Sequence, residues 1–190
     1  GHATVSAGLS DKLSWFGLQR LRRVNVTLAD GRVELLHASP RSQRAQTSTR
    51  FTNAKFVLKV AMDVHLSRRE ACALRVMQGV HAVPRLECAS EHVLLIEHVG
   101  DPVREDNLPA DYRAQVTELL RQLSSRGVRH NDLWKDDTSL PSLFVTELVV
   151  DRLGVLRAVD FNTATVNGSY ACDVGIRATA LPPRLEHTFK

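Results

Sequence analysis

The sequence predicts an α+β fold, with an antiparallel sheet in the first half of the chain and a helical second half. Three observations carry this. Two β-branched runs, 22–28 and 33–36, flank Asp30-Gly31, the composition of a tight hairpin. Residues 56–62 and 93–99 are short, nearly continuous apolar runs of strand length, as buried strands require. Between Pro109 and Ser125, Val116, Leu119, Leu120 and Leu123 recur at i, i+3, i+4 and i+7, which places them on one face of an amphipathic helix.

The remaining elements follow in chain order. Leu13, Phe16, Leu18 and Leu21 predict a short helix, and the Ser-, Thr-, Gln- and Arg-rich stretch 38–50 predicts a polar loop. Ser67-Arg68-Arg69-Glu70 has the spacing of a capping box and predicts a helix running to Gly79. Residues 83–88 form a short strand or connector, and the strand 93–99 leads into a Gly100-Asp101-Pro102 turn. Pro109 suits the first turn of the long helix and Gly127 ends it. A loop follows over 128–137, then two strands, 143–150 and 155–159, around Asp151-Arg152-Leu153-Gly154. Turns are expected at Asn167-Gly168 and Pro182-Pro183.

A chain of 190 residues with 43% hydrophobic and 24% charged residues is long enough for one domain with a sizeable core. The net charge of +4 suits a nucleotide or another polyanion as ligand. No aromatic residues interleave with the arginine clusters 20–23 and 41–50, so nothing marks a single-strand nucleic-acid platform. No apolar run approaches the length of a membrane span. Cys72, Cys88 and Cys172 are odd in number and widely spaced. That argues against a disulfide framework and a zinc site, and for a reducing, cytoplasmic setting.

Phosphoryl transfer is mainly positioning and charge neutralisation. A cation must hold phosphates, carboxylates must hold magnesium and face the acceptor hydroxyl, and an apolar slot must take the base. The order of elements supplies each part. Lys59 sits inside an apolar strand, where a buried ammonium needs an anionic partner, and Glu70 on the next helix is the candidate. The strand 93–99 offers the back of an adenine slot, with main-chain groups of Glu97 and Val99. The long helix delivers His130-Asn131-Asp132-Leu133, in which His130 reads as a brace for the loop, and the following hairpin delivers Asp160.

The stretch Gly127-Val128-Arg129-His130-Asn131-Asp132-Leu133 resembles the H-x-D-L-x-x-x-N catalytic loop of the protein-kinase-like superfamily. Asp160-Phe161-Asn162 resembles its D-F-G motif, and Val57-Leu58-Lys59-Val60 its V-A-I-K strand. The resemblance covers roughly residues 24–165. It implies a bilobal fold: an antiparallel N-lobe over about 1–99, a hinge near 97–101, and a reduced helical C-lobe over 102–190. It also implies ATP and Mg²⁺ as cofactors and a protein Ser/Thr hydroxyl as acceptor. Lys59 would contact the α- and β-phosphates and pair with Glu70, with Ile96 as gatekeeper before Glu97. Asp132 would orient the acceptor, Lys135 would contact the transferred phosphate, and Asp160 and Asp137 would bind the metal.

Four departures set this chain apart from the family pattern. No Gly-x-Gly-x-x-Gly precedes Lys59, and Gly31 is the only glycine in the hairpin. Asp137 stands where the family has Asn, and Asn162 where it has Gly. Only 30 residues follow Asp160, so the usual activation segment and large helical lobe do not fit; minimal kinases of bacterial effectors are similarly short, which admits a secreted effector acting in a host cell. The missing glycine loop keeps a nucleotide-binding pseudokinase in view as the alternative, and the acidic Asp136-Asp137 pair a small-molecule phosphotransferase.

Overall fold

The computed structural model describes residues 21–39, 48–133 and 147–170, together with the backbone of Leu185–Glu186. The chain divides into two compact units, one of Gly1–Ser67, Leu86–His98 and Gly175–Lys190, the other of Arg68–Arg85 and Val99–Val174.

The first unit is an antiparallel sheet. Its strands are β1 (Arg23–Thr27), β2 (Val33–Ala38), β3 (Ser48–Thr52), β4 (Phe56–Ala61), β5 (Leu86–Ala89), β6 (Val93–Glu97) and β12 (Leu185–Glu186). They lie in the order β12-β1-β2-β3-β4-β6-β5. The hairpin closes as the Asp-Gly signal predicts: Gly31 takes a positive φ of 82°, and Thr27 faces Val33 across the turn. Strand alternation then decides what is buried. Val24, Val26, Leu36, Phe51, Phe56, Leu58, Val60, Val93 and Leu95 point to one side and form a single apolar cluster. Cys88 joins them, and burial pushes its thiol up to about 12, so it packs as a small apolar residue.

β3 corrects the sequence expectation. Ser48, Thr49 and Arg50 fall in the stretch read as a polar loop, yet they pair with Ala61, Val60 and Lys59 of β4. Only two of the five strand residues, Thr49 and Phe51, face the interior, and both are buried. A strand with one apolar inward residue looks polar from composition alone. The predicted helix around residues 13–21 lies almost wholly outside the described residues.

In the second unit, helix α1 (Val64–Val76, whose first turn belongs to the sheet unit) begins three residues before Ser67. Its N-cap is Asp63, whose Oδ1 accepts from the His65 N–H at 2.8 Å. Ser67 and Glu70 therefore lie inside the helix, both buried, and the capping-box reading is wrong. The Ser-x-x-Glu spacing is also i, i+3 on one helix face, so the pattern does not distinguish a start from an interior. Helix α2 (Tyr112–Ser125) starts after Asp111 rather than at Pro109. Leu119 and Leu123 are buried in it, while Leu120 is 42% exposed.

Helix α2 packs on β10 (Leu156–Ala158) and β8 (Val128–Arg129). β10 pairs with β9 (Leu148–Val150), which pairs in turn with β7 (Asp101–Pro102). β8 pairs with β11 (Thr165–Val166). The expected Asn167-Gly168 turn is present, with φ of 50° and 78° at its two corners. β9 and β10 are shorter than the predicted runs 143–150 and 155–159, and residues 143–146 lie outside the described residues.

A buried ion pair ties this unit together. Arg157 donates from Nε (3.0 Å) and Nη2 (2.8 Å) to Asp151 Oδ2, and from Nη1 and Nη2 to the His81 carbonyl and Nε2. Burial works against ionisation of Asp151. Hydrogen bonds from the Val155 N–H, from Arg157 and from the Leu153 N–H outweigh it and hold the carboxyl below its ordinary value. Cys72, buried on α1, is disulfide-bonded, which corrects the expectation of reduced cysteines. Wide sequence spacing carries no information about pairing across a fold. Cys172 lies outside the described residues.

Candidate active site

Within the sheet unit, Lys59 occupies the middle of β4, opposite Arg50 on β3 and Leu94 on β6. It is 5% exposed. Because Phe56, Leu58 and Val60 point into the apolar cluster, Val57 and Lys59 lie on the other face. Strand register places Thr52, His37, Leu35 and Val33 on that same face, and on β6 Leu94 and Ile96. Ile96 and Leu94 are buried, whereas Val33 is 61% and Leu35 42% exposed. The face around the lysine therefore mixes aliphatic residues, solvent-facing on β2, with Arg50, Thr52 and His37. Val33, Leu35 and Val57, which share the lysine's face, were not singled out from the sequence. The alternation after Gly31 places Val33 and Leu35 on one face, since they lie two residues apart on β2. Glu97 closes β6, opposite Phe56.

In the second unit, two loops are brought together. Gly127, with φ of 68°, turns the chain out of α2 into β8. After β8 come His130, Asn131, Asp132 and Leu133. After β10 come Val159, Asp160 and a 3₁₀ turn, Phe161–Thr163. His130 is buried between these loops. Its Nε2 lies 2.7 Å from the Val159 carbonyl, which can only accept, so this nitrogen carries the proton. Its ring packs against Phe161 with centroids 4.5 Å apart. One imidazole thus grips the residues on both sides of Asp160. It serves as a brace, as the sequence predicts.

Further bonds reinforce the junction. The Thr163 hydroxyl donates to the His130 carbonyl at 2.9 Å, and Asn131 Nδ2 donates to the Thr163 carbonyl at 2.9 Å. Thr165 pairs with Arg129 in the β8–β11 ladder. Asn131 and Asp160 both sit in the left-handed region, at φ of 65° and 63°. Left-handed non-glycine residues cost about 1 kcal/mol each and persist where neighbours over-determine them. Here the neighbours are the bonds just named. Asp132 follows immediately after Asn131 and Asp160 is itself one of the strained residues; both side chains belong to half-buried residues.

Glu70 is 3% exposed on α1, and Val99 is buried immediately before Gly100. Gly100 has φ of 151°, and a Cβ there would lie 2.2 Å from the Val150 carbonyl oxygen, so only glycine lets β7 approach β9 this closely. Lys135 and Asp137 lie outside the described residues.

Among the described residues no group of three or more His, Cys, Asp or Glu side chains could hold a metal ion by itself. Magnesium does not need such a cage, because it is commonly held by one or two carboxylates with phosphate oxygens and water. Asp160, a half-buried carboxylate, is a hard oxygen donor of the type that chemistry uses. No helix among the described residues is long and apolar enough to cross a membrane.

No family model matches the chain, and no curated protein matches its sequence. Solved structures do resemble it. The kinase PK-1 of Cydia pomonella granulovirus is 18% identical with a TM-score of 0.49, over 66% of this chain and 53% of that one. Monomeric WbdD is 12% identical with a TM-score of 0.52, over 75% of this chain and 40% of that one. The chain thus spans about half of the first protein and two-fifths of the second.

Proposed function

We propose that the protein is a phosphotransferase of protein-kinase-like architecture, moving the γ-phosphate of ATP to a Ser/Thr hydroxyl of a protein. The observation that carries this reading is His130, which bonds the Val159 carbonyl and packs on the Phe161 ring, the residues on either side of Asp160, and stands two residues before Asp132. The arrangement holds two carboxylate-bearing loops in one geometry, which is the kind of preorganisation that phosphoryl transfer depends on. The fold resemblance to monomeric WbdD supports it.

In this reading Asp160 ligates magnesium, with Asp137 as its second carboxylate. Magnesium, when bound, neutralises charge on the phosphate oxygens. Asp132 accepts a hydrogen bond from the acceptor hydroxyl and orients its oxygen toward the phosphorus. Lys59 holds the α- and β-phosphates, and its low exposure strengthens that attraction by excluding water. Val33, Leu35 and Val57, which share its sheet face, offer apolar surface to the adenine. Main-chain groups of Glu97 and Val99 take the base edge, and Ile96 limits the depth of the slot. Lys135 contacts the transferred phosphate.

The test is γ-phosphate transfer from labelled ATP with magnesium, comparing the wild type with Asp132→Ala, Asp160→Ala and Lys59→Ala. Transfer falls by about 10²–10⁴-fold in Asp132→Ala. Asp160→Ala and Lys59→Ala also weaken binding of the magnesium nucleotide, measured by calorimetry. Unchanged transfer in Asp132→Ala and Asp160→Ala would overturn the reading.

A further inference from the structure

Beside the loop that carries Asp132, the second unit has an open trough of about 800 Å³. Its floor is apolar: Leu120 and Leu123 from α2, and Leu133 from the loop. Its rim is polar, with Arg129, Asn131 and Asn167. Leu123 and Leu133 are buried at the base, while Leu120 is half-open to solvent on a helix whose neighbouring outward positions are polar. Among the described residues, the lining includes Arg129 as a fixed cation and no carboxylate. The nearby Glu118 does not offset it, because Arg121 Nη2 lies 2.6 Å from the Glu118 carboxylate.

We propose that this trough seats the acceptor protein, taking an extended segment in which an acidic side chain neighbours an apolar one. The proposal rests on the phosphotransferase reading. Three features point to this occupant. Asn131 and Leu133, which line the trough, flank Asp132 in sequence, so a segment lying there runs beside the loop that carries the carboxylate proposed to orient the hydroxyl. Such delivery is what turns weak binding into effective catalysis. A small-molecule site encloses most of its ligand. This one has exposed residues along its length, at Leu120, Ser124, Arg129, Asn131, Asn167 and Gly168, as an extended chain needs. Finally, a guanidinium above an apolar floor selects a carboxylate placed beside a hydrophobic group. The walls are stiff. Asn167 N–H donates to the Gly127 carbonyl at 2.7 Å, and Asn131 is held by Thr163.

The experiment uses the full chain, magnesium ATP and degenerate peptides with a central Ser or Thr. The wild type is expected to select Asp or Glu at one position and a large apolar residue beside it. Arg129→Glu reverses the charge preference to Lys or Arg, with about a tenfold change in kcat/KM for the acidic peptides. Leu120→Asp removes the apolar selection. Both residues are exposed, and both variants keep the KM for ATP. A second measurement does not need transfer: fluorescence anisotropy of a labelled peptide pool with Glu and Leu fixed side by side and Ala in place of the acceptor, against the same pool with Lys for Glu. The first pool binds the wild type more tightly, and Arg129→Glu inverts the order. Transfer to peptides without acidic or apolar selection, or selection that survives both substitutions, overturns the trough and leaves the phosphotransferase standing. Transfer only to small-molecule hydroxyls removes the protein acceptor. Binding of the Glu-Leu pool lost in Arg129→Glu, with no transfer to any acceptor, leaves a peptide-binding trough but overturns its role as the acceptor's seat.

Discussion

The two units hold their shapes by different means. The sheet unit is held by alternation: one face of β1 to β6 supplies the residues of a single apolar cluster, and the register of each hairpin is set by which face that cluster occupies. The second unit has an apolar base under α2, but its loops are fixed by polar contacts between distant residues. His130 reaches Val159, Asn131 reaches Thr163, and Arg157 reaches Asp151 and His81. Apolar burial is forgiving of detail, because any residue of about the right volume satisfies it. A buried hydrogen bond has one acceptable geometry. The unit that carries the two aspartates of interest is therefore the one whose backbone is specified by direction rather than by volume.

The sharpest contrast comes from Phe51→Ala. Phe51 is fully buried and lies at the centre of the sheet's cluster. Its truncation should cost about 4 kcal/mol, from lost transfer energy and the residual cavity, and urea denaturation would show it. The conservative Phe51→Leu should recover most of the loss. If Phe51→Leu were as damaging as Phe51→Ala, the sheet would depend on shape as strictly as the loops do, and the comparison would fail.

Arg157→Ala probes the other unit. It leaves the Asp151 carboxylate buried beside His81, at a cost of about 3 kcal/mol. Unlike the sheet, this contact should also leave a mark in the pH dependence. Asp151 titrates below its unfolded value in the folded protein. Its stabilisation is thus complete above the unfolded pKa of about 3.9 and is lost as pH falls through the lower folded value. Asp151→Asn keeps acceptors for the Leu153 and Val155 amides and has no such acid limb. Chemical denaturation between about pH 5 and pH 2 separates them: the wild type converges on Asp151→Asn as the pH drops.

The same division explains what the sequence could show. Hairpin, strands and helix faces were legible because they obey periods of two and 3.6, and Asp30-Gly31 and Asn167-Gly168 mark turns by their own chemistry. The helix α1 start was misread because Ser67 and Glu70 satisfy a local pattern that an earlier residue, Asp63, pre-empts. β3 was missed because a strand needs only every second residue to be apolar. Of the candidate site, the residue types at Lys59, Asp132 and Asp160 could be picked out by order along the chain. His130 could be read as a brace, but its partner Val159, 29 positions away, follows no periodicity and so could not be named from the sequence.

Gly127→Ala should cost about 1–2 kcal/mol, less than either buried truncation. Its φ of 68° is the left-handed region, and the added Cβ would meet Asn167 Oδ1 at 2.1 Å. That atom ends a movable side chain, so the steric part should be relieved in Gly127→Ala/Asn167→Gly while the backbone part remains. A double-mutant cycle measured by thermal denaturation tests this. Additive effects would mean that the turn is positioned by its backbone bond from Asn167 to Gly127 alone.

The smallest effect on stability should accompany the largest on function. Asp160 sits at φ 63° and ψ 60°, where glycine is at ease and a β-carbon is not. Asp160→Gly removes the local strain and adds unfolded-state entropy, and the two changes offset to within about 1 kcal/mol. Asp160→Ala keeps the strain and gains nothing, so it should be the less stable of the two by about 1 kcal/mol. Both lose the carboxylate proposed to hold magnesium, and both should lose phosphate transfer alike. Melting temperatures that rank Gly above Ala, beside equal loss of transfer, would show that the strained backbone at this position serves to aim a side chain. Ala equal to or above Gly would mean that the left-handed turn is set by the Phe161 and Val159 contacts at no cost. The residue's conformation would then say nothing about its role.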